Sequence, residues 1–329
     1  MKCDRLPRNR ALACGVLLAA LLVPQTSVLA QSRDYPAKPI RLMVPFGSGS
    51  GSDIAARFFG DQLAQVIGQP LVIENRPGAN GVIGGEACAR ANPDGHTLCV
   101  LNTGVTSVNP ILYDKHPFDP AKAFVPVAHF YSLTGAIVVG KGSPYKSMPD
   151  LLQGYKAKPN AVNFATIGAG SYPDMFLAWL NQHWKTRIEG VPYKGGGPIS
   201  LALMSGEVQV SAAALGNFMA QIKGGALEAI AVSSSTRVKA LPQVPTYAEA
   251  GLDDFKGRLW WGVFAPAGTP APVVQQFNQV LNELLRTPAF VDYLETQGAE
   301  ATPGTPEDFA KYVKADQDWT IALLGSLKK

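Results

Sequence analysis

The sequence predicts a two-lobed α/β protein with a cleft between its lobes, and three observations predict it. Short apolar runs alternate with amphipathic helical stretches, the pattern of strands covered by helices. One device, a strand ending in a loop of small residues that opens a helix, occurs in each half of the chain, at residues 40–67 and 162–184. The length of 329 residues, 47% of them apolar, exceeds the roughly 250–300 at which a single core stops growing.

Lys2, Arg5, Arg8 and Arg10 precede an apolar run from Ala11 to Val23 and the small-residue end Val28-Leu29-Ala30. This reads as a secretory signal peptide over residues 1–30, its apolar run shorter than the roughly 20 residues of a spanning helix. Removing its four basic residues and Asp4 from totals of 29 and 25 leaves 25 basic against 24 acidic residues. So balanced a chain carries no nucleic-acid footprint. Of the four cysteines, Cys88 and Cys99 remain, which outside the cytoplasm either pair or stay as two buried thiols. The two cysteines and four scattered histidines show no metal-ligand spacing.

In order, Ile40 to Val44 is a strand, and Gly47-Ser48-Gly49-Ser50-Gly51-Ser52-Asp53 is the loop after it. Ala55, Phe59, Leu63 and Val66 then mark a helix ended by Gly68-Gln69-Pro70. Such a loop directs backbone N–H groups at one point ahead of a helix dipole, an anion seat. Leu71 to Ile73 and Thr97 to Leu101 are strands, with a helix to about Ala91 between them. Runs at Val127 to Leu133 and Ala136 to Val139 lead to a helix opened by Ser147. The strand Val162 to Ala165, the loop Thr166-Ile167-Gly168-Ala169-Gly170-Ser171 and a helix from Tyr172 to Trp184 repeat the first device. Strands follow at Ile188 to Val191, Val208 to Ala213 and Leu227 to Val232. Trp260 to Phe264 reads as a strand crossing back, with one of Trp260 and Trp261 turned to the core by alternation. A helical stripe from Val273 to Leu284 and a final helix from Thr305-Pro306 to about Leu324 complete the chain. Two crossings, near residues 130–135 and 255–260, divide it into one lobe of residues 31–132 and 256–329 and another of 133–255.

Ser50-x-x-Asp53 and Ser171-x-x-Asp174 fit the capping box, as do Ser147-x-x-Asp150 and Thr305-x-x-Asp308. The first two stand out by the glycines ahead of them. Enzyme signatures fail: Gly47-x-Gly49-x-x-Ser52 lacks the last glycine of a dinucleotide loop, and no G-x-S-x-G elbow occurs. Lys194, in a third glycine loop, reads as a solvated side chain.

With these residues in place, the chain resembles, over nearly its whole mature length, the periplasmic solute-binding receptors of tripartite tricarboxylate transporters, the Bug receptor family. The resemblance rests on Val44-Pro45-Phe46 with its loop, ENRPGANG at 74–81, PDGHTL at 93–98, Asn109-Pro110, VPYKGG at 191–196, LPQVPTYAEAGL at 241–252 and FAPAGTP at 264–270. It implies a two-lobed, Venus-flytrap periplasmic-binding-protein fold, each lobe a mostly parallel sheet flanked by helices. It also implies a protein without catalysis or cofactor that delivers a small organic carboxylate or amino acid to membrane permease subunits. A sensor signalling to a membrane kinase, or an enzyme on this scaffold, are the other readings. Carried over to this chain, the ligand residues are Phe46, Ser48, Ser50, Ser52, Asp53 and Thr103 in one lobe. In the other they are Thr166, Gly168, Gly170, Ser171, Asp174 and Asn217. Two positions depart from the family: Ser50 replaces the second glycine of a pair, and Asp174 stands where a histidine is usual. An acid there implies an amino-bearing ligand, or a simple carboxylate with Asp174 turned away.

Overall fold

The computed structural model describes residues 35–327; the expected signal peptide lies outside them. In chain order the strands are β1 (Ile40–Val44), β2 (Leu71–Asn75), β3 (Thr97–Asn102), β4 (Phe124–Leu133), β5 (Gly135–Gly140), β6 (Asn163–Thr166), β7 (Glu189–Pro192), β8 (Val210–Ala214), β9 (Leu227–Val232), β10 (Leu259–Pro266) and β11 (Ala299–Ala301). The helices are α1 (Gly51–Ile67), α2 (Val82–Ala89), α3 (Asn109–Leu112), α4 (Pro120–Ala123), α5 (Met148–Ala157), α6 (Tyr172–Trp184), α7 (Gly196–Ser205), α8 (Met219–Lys223), α9 (Ala271–Leu285), α10 (Pro288–Thr296) and α11 (Pro306–Leu327). Among the described residues, no helix is long and apolar enough to cross a membrane.

The strands form two sheets, ordered β11-β4-β10-β3-β1-β2 and β7-β6-β8-β5-β9. In the first, β1 pairs in parallel with β2 and β3, while β10 lies antiparallel between β3 and β4. In the second, β6 pairs in parallel with β7 and β8, while β5 lies antiparallel between β8 and β9. Most strands of each sheet thus share one direction, and β5 and β10 run against them. Each is the first strand after a crossing from the other sheet: β5 lies between the later strands β8 and β9, and β10 inserts between the earlier strands β3 and β4. β11 adds a short antiparallel edge on β4.

Burial follows the apolar stripes except at Val66, expected in the stripe of α1 but 53% exposed near the helix end. Ala55, Phe59 and Leu63 of α1 are buried, and Phe59 meets Phe130 of β4 edge-on at 4.8 Å. Covering one such ring contributes about 1.5–3 kcal/mol. Gly68 in the left-handed conformation ends α1, its N–H bonded to the Ala64 carbonyl, as glycine does where a side chain would be strained. In the second lobe, Phe164, Phe176, Trp179, Tyr247 and Phe255 share one cluster. α11 belongs to both lobes: Phe309 and Val313 lie with Trp260 and Phe264 in the first, and Leu323 and Leu324 lie in the cluster of the second. Cys88 of α2 and Cys99 of β3 are joined as a disulfide.

Candidate ligand-binding site

The loop after β1 is fixed by its own acid. Ser50, with extended backbone (φ −67°, ψ 157°), caps α1, and its Oγ accepts from the Asp53 N–H at 3.3 Å. Asp53, 2% exposed, is spent on the loop. Its carboxylate accepts from the Gly49 N–H at 2.8 Å, Asn75 Nδ2 at 2.9 Å, Arg57 Nε at 3.1 Å and Ser48 Oγ at 3.4 Å. Burial alone would raise its pKa; the bonds from Arg57, Gly49 and Asn75 outweigh that and bring it down to about 2. With Gly49 bound to Asp53 and the Ser50 N–H to the Gly47 carbonyl, the first free donors of α1 are the N–H groups of Gly51 and Ser52, as expected at a helix start.

The loop after β6 is the same structure built again. Ser171 (φ −68°, ψ 158°) caps α6, its Oγ accepting from the Asp174 N–H at 3.4 Å, and the Gly170 N–H donates to Asp174 at 2.8 Å. Two details differ. Pro173 stands where the first loop has Ser52, which removes a donor. Among the described residues Asp174 also has no cation corresponding to Arg57, and burial pushes its carboxyl above the usual range against the lowering bond from Gly170.

Between the lobes lies a cavity of about 300 Å³. Phe46, Ser50, Gly51 and Ser52 line it from the first lobe and Asn217 from the second. Of the residues expected from sequence, the structure therefore brings Phe46, Ser50, Ser52 and Asn217 together. Ser48 and Asp53 brace the loop behind them. Thr166, Gly168, Gly170, Ser171 and Asp174 lie outside this cavity. Gly170, at φ +73°, instead lies so close to the first lobe that a Cβ there would sit 2.4 Å from Leu112 and 2.6 Å from Val108. Thr103 is buried, its hydroxyl within 3.5 Å of the Arg258 carbonyl and beside buried Asp316. Burial raises the Asp316 carboxyl to about 6, against bonds led by Ser107.

Sequence reasoning missed Tyr131 and Leu133 of β4, Tyr293 and Leu294 of α10, and Gln297, all of which line the cavity. Only Trp261 carried a signal: Trp260 is 1% exposed in the core, and its neighbour turns to the cavity. Among the described residues, no cluster of His, Cys, Asp and Glu could hold a metal ion.

Two α/β lobes joined by two crossings, with a cavity between a helix-opening glycine loop and the opposite lobe, define the class of periplasmic solute-binding proteins. The chain belongs to the tripartite tricarboxylate transporter receptor family, whose profile matches residues 55–326. It is 34% identical over 313 residues to a protein from a tcbD-tcbE intergenic region of Pseudomonas sp., covering 94% of this chain and 92% of that one. It is 32% identical to Protein BugT of Bordetella pertussis over 287 residues, 87% of this chain and 88% of the other. Among solved structures, MatC from Rhodopseudomonas palustris with bound malate superposes with a TM-score of 0.73 at 30% identity, covering 88% of this chain and 99% of that one. An R. palustris protein with adipate gives 0.76 at 29% identity, covering 89% and 99%.

Proposed function

We propose that this chain is an exported periplasmic receptor, without catalysis of its own, that captures a small organic carboxylate by closing its lobes. It would then present the ligand to the permease subunits of a tripartite tricarboxylate-type transporter. The observation that carries this reading is the pair of free N–H groups at Gly51 and Ser52, both bordering the inter-lobe cavity beside the Ser50 hydroxyl. Free donors at a helix start favour a carboxylate. Asn217 supplies a polar group from the other wall. MatC with malate and the adipate-bound relative support the ligand class. Because Asp174 is turned into its own loop, the simple-carboxylate alternative is preferred over the amino-bearing one. A micromolar ligand would bring about −8 kcal/mol to divide between binding and closure.

Gly51→Pro tests this. The substitution removes one free donor at the first helical position, where proline is well accommodated, behind an extended Ser50 that suits it. Space is open around Gly51. A charge-assisted bond contributes about 1.5–3 kcal/mol, so the dissociation constant of the best carboxylate in a titration panel should rise at least about tenfold. The melting temperature without ligand should stay near that of the parent. Unchanged affinity would refute the role of this loop.

A further inference from the structure

The cavity's remaining lining says what kind of carboxylate fits, an inference that rests on the carboxylate reading of the same site. Phe46 and Trp261 pack edge-on at 5.2 Å, and Tyr131 lies 6.5 Å from Trp261, so the three rings form one continuous wall. Tyr293 and Leu294 also border the space. None of the residues lining the cavity is charged. A second carboxylate on the ligand would therefore enter with no cation to meet it, which the desolvation of a charge strongly disfavours. The volume of about 300 Å³ suits a ring with its carboxylate, since an apolar cavity of about 150 Å³ accepts benzene. Tyr131 adds a second requirement. It is 4% exposed, and its hydroxyl makes no hydrogen bond among the described residues. Tyr131 lines the cavity and its hydroxyl is left without a protein partner among those residues, so a polar group on the ligand can bond to it.

We infer that the site selects aromatic monocarboxylates: the carboxylate at Gly51 and Ser52, the ring along Phe46, Trp261 and Tyr131, and a neutral polar ring substituent, such as a hydroxyl, at Tyr131. Ring-on-ring contact adds to affinity beyond the area buried. The ring hydroxyl and the Tyr131 hydroxyl can each donate or accept.

Calorimetric titration of the mature protein, residues 31–329, with benzoate, 3- and 4-hydroxybenzoate, malate, adipate and citrate tests this. One of the hydroxybenzoates should bind best, at least about tenfold more tightly than any of the three polycarboxylates. It should exceed benzoate by about two- to tenfold, the span of one neutral hydrogen bond. Tyr131→Phe, which keeps the ring and removes the hydroxyl, should abolish the advantage of the hydroxybenzoate over benzoate. Malate, adipate or citrate binding as tightly as the aromatic acids would overturn the aromatic assignment and leave the carboxylate reading standing. Equal losses for benzoate and hydroxybenzoate in Tyr131→Phe would overturn the role of Tyr131. Failure of all six, with a neutral sugar bound instead, would overturn both readings.

Discussion

Asp53 and Asp174 occupy the same position in two copies of one loop, yet replacing each with asparagine should move stability differently. Asp53→Asn keeps size and removes charge. Every group around the carboxylate is a donor: Gly49 N–H, Asn75 Nδ2, the Arg57 guanidinium and Ser48 Oγ. An amide must therefore turn its NH₂ toward at least one of them, at about 1 kcal/mol for the bond lost. A carboxyl held at about 2 instead of 3.8 corresponds to about 2 kcal/mol at neutral pH. Half-exposed Arg57 is screened by solvent, which halves that to about 1 kcal/mol. The sum, about 2 kcal/mol, lowers the melting temperature by roughly 3 °C. Because the folded-state pKa is depressed, the ionic part is full above the unfolded value near 4 and is lost as pH falls through about 2. The gap between parent and Asp53→Asn should therefore narrow in melts at pH 2–3 relative to pH 7. Asp174 is the opposite case. Its pKa is raised by burial, so its contribution is favourable at low pH and is lost as pH rises through the carboxylate range. Asp174→Asn retains an acceptor for the Gly170 N–H and should melt at or slightly above the parent at pH 7. Equal losses for the two variants, or an Asp53→Asn gap as wide at pH 2–3 as at pH 7, would refute this account.

Two further outcomes follow from close approaches between segments. At Gly216, in the wall of the cavity, a Cβ would lie 2.6 Å from the Gln297 carbonyl oxygen of the other lobe. Overpacking costs about 1–3 kcal/mol, so Gly216→Ala should weaken carboxylate binding about tenfold and reduce the ligand-induced compaction seen by small-angle scattering; unchanged binding and compaction would show that this contact takes no part in closure. Cys88 and Cys99 are 11 residues apart and joined. Replacing both with alanine should cost about 3 kcal/mol on the chain-entropy estimate, read as a lower urea midpoint, and an unshifted midpoint would refute it.

What the sequence made legible was local. Ser50-x-x-Asp53 and Ser171-x-x-Asp174 announce their caps because serine, acid and helix start lie within four residues of one another, and both loops form as expected. The alternation that assigned one of Trp260 and Trp261 to the core is likewise a property of neighbours. What stayed hidden depends on pairing across long separations. The cavity wall needs Tyr131 and Trp261, opposite each other in the β4 and β10 ladder, and α10, which meets Tyr131 only through the folding of residues more than 150 positions apart. Thr103 follows a strand whose end was expected to add to the cleft, but the chain turns there into a π-helical segment, Gly104–Val108. That turn takes Thr103 toward Arg258 and Asp316. Gly170 read as a ligand-facing glycine because it stands in a glycine loop ahead of a helix cap, as the family's ligand loop does, but its N–H is taken by Asp174. Its small size serves just as directly to let Val108 and Leu112 approach.

α11 starts among the aromatic rings of one lobe and ends among those of the other. The halves are therefore fastened three times, by two extended crossings and by one rigid rod. Extended chain can twist, but a packed helix can move only if one of its ends slides in its socket, so the lobes cannot swing freely. The proposed closure would therefore work against a restoring force, set by how firmly Leu323 and Leu324 are gripped. Small cuts at the carboxyl terminus would loosen that spring without touching a single residue of the cavity.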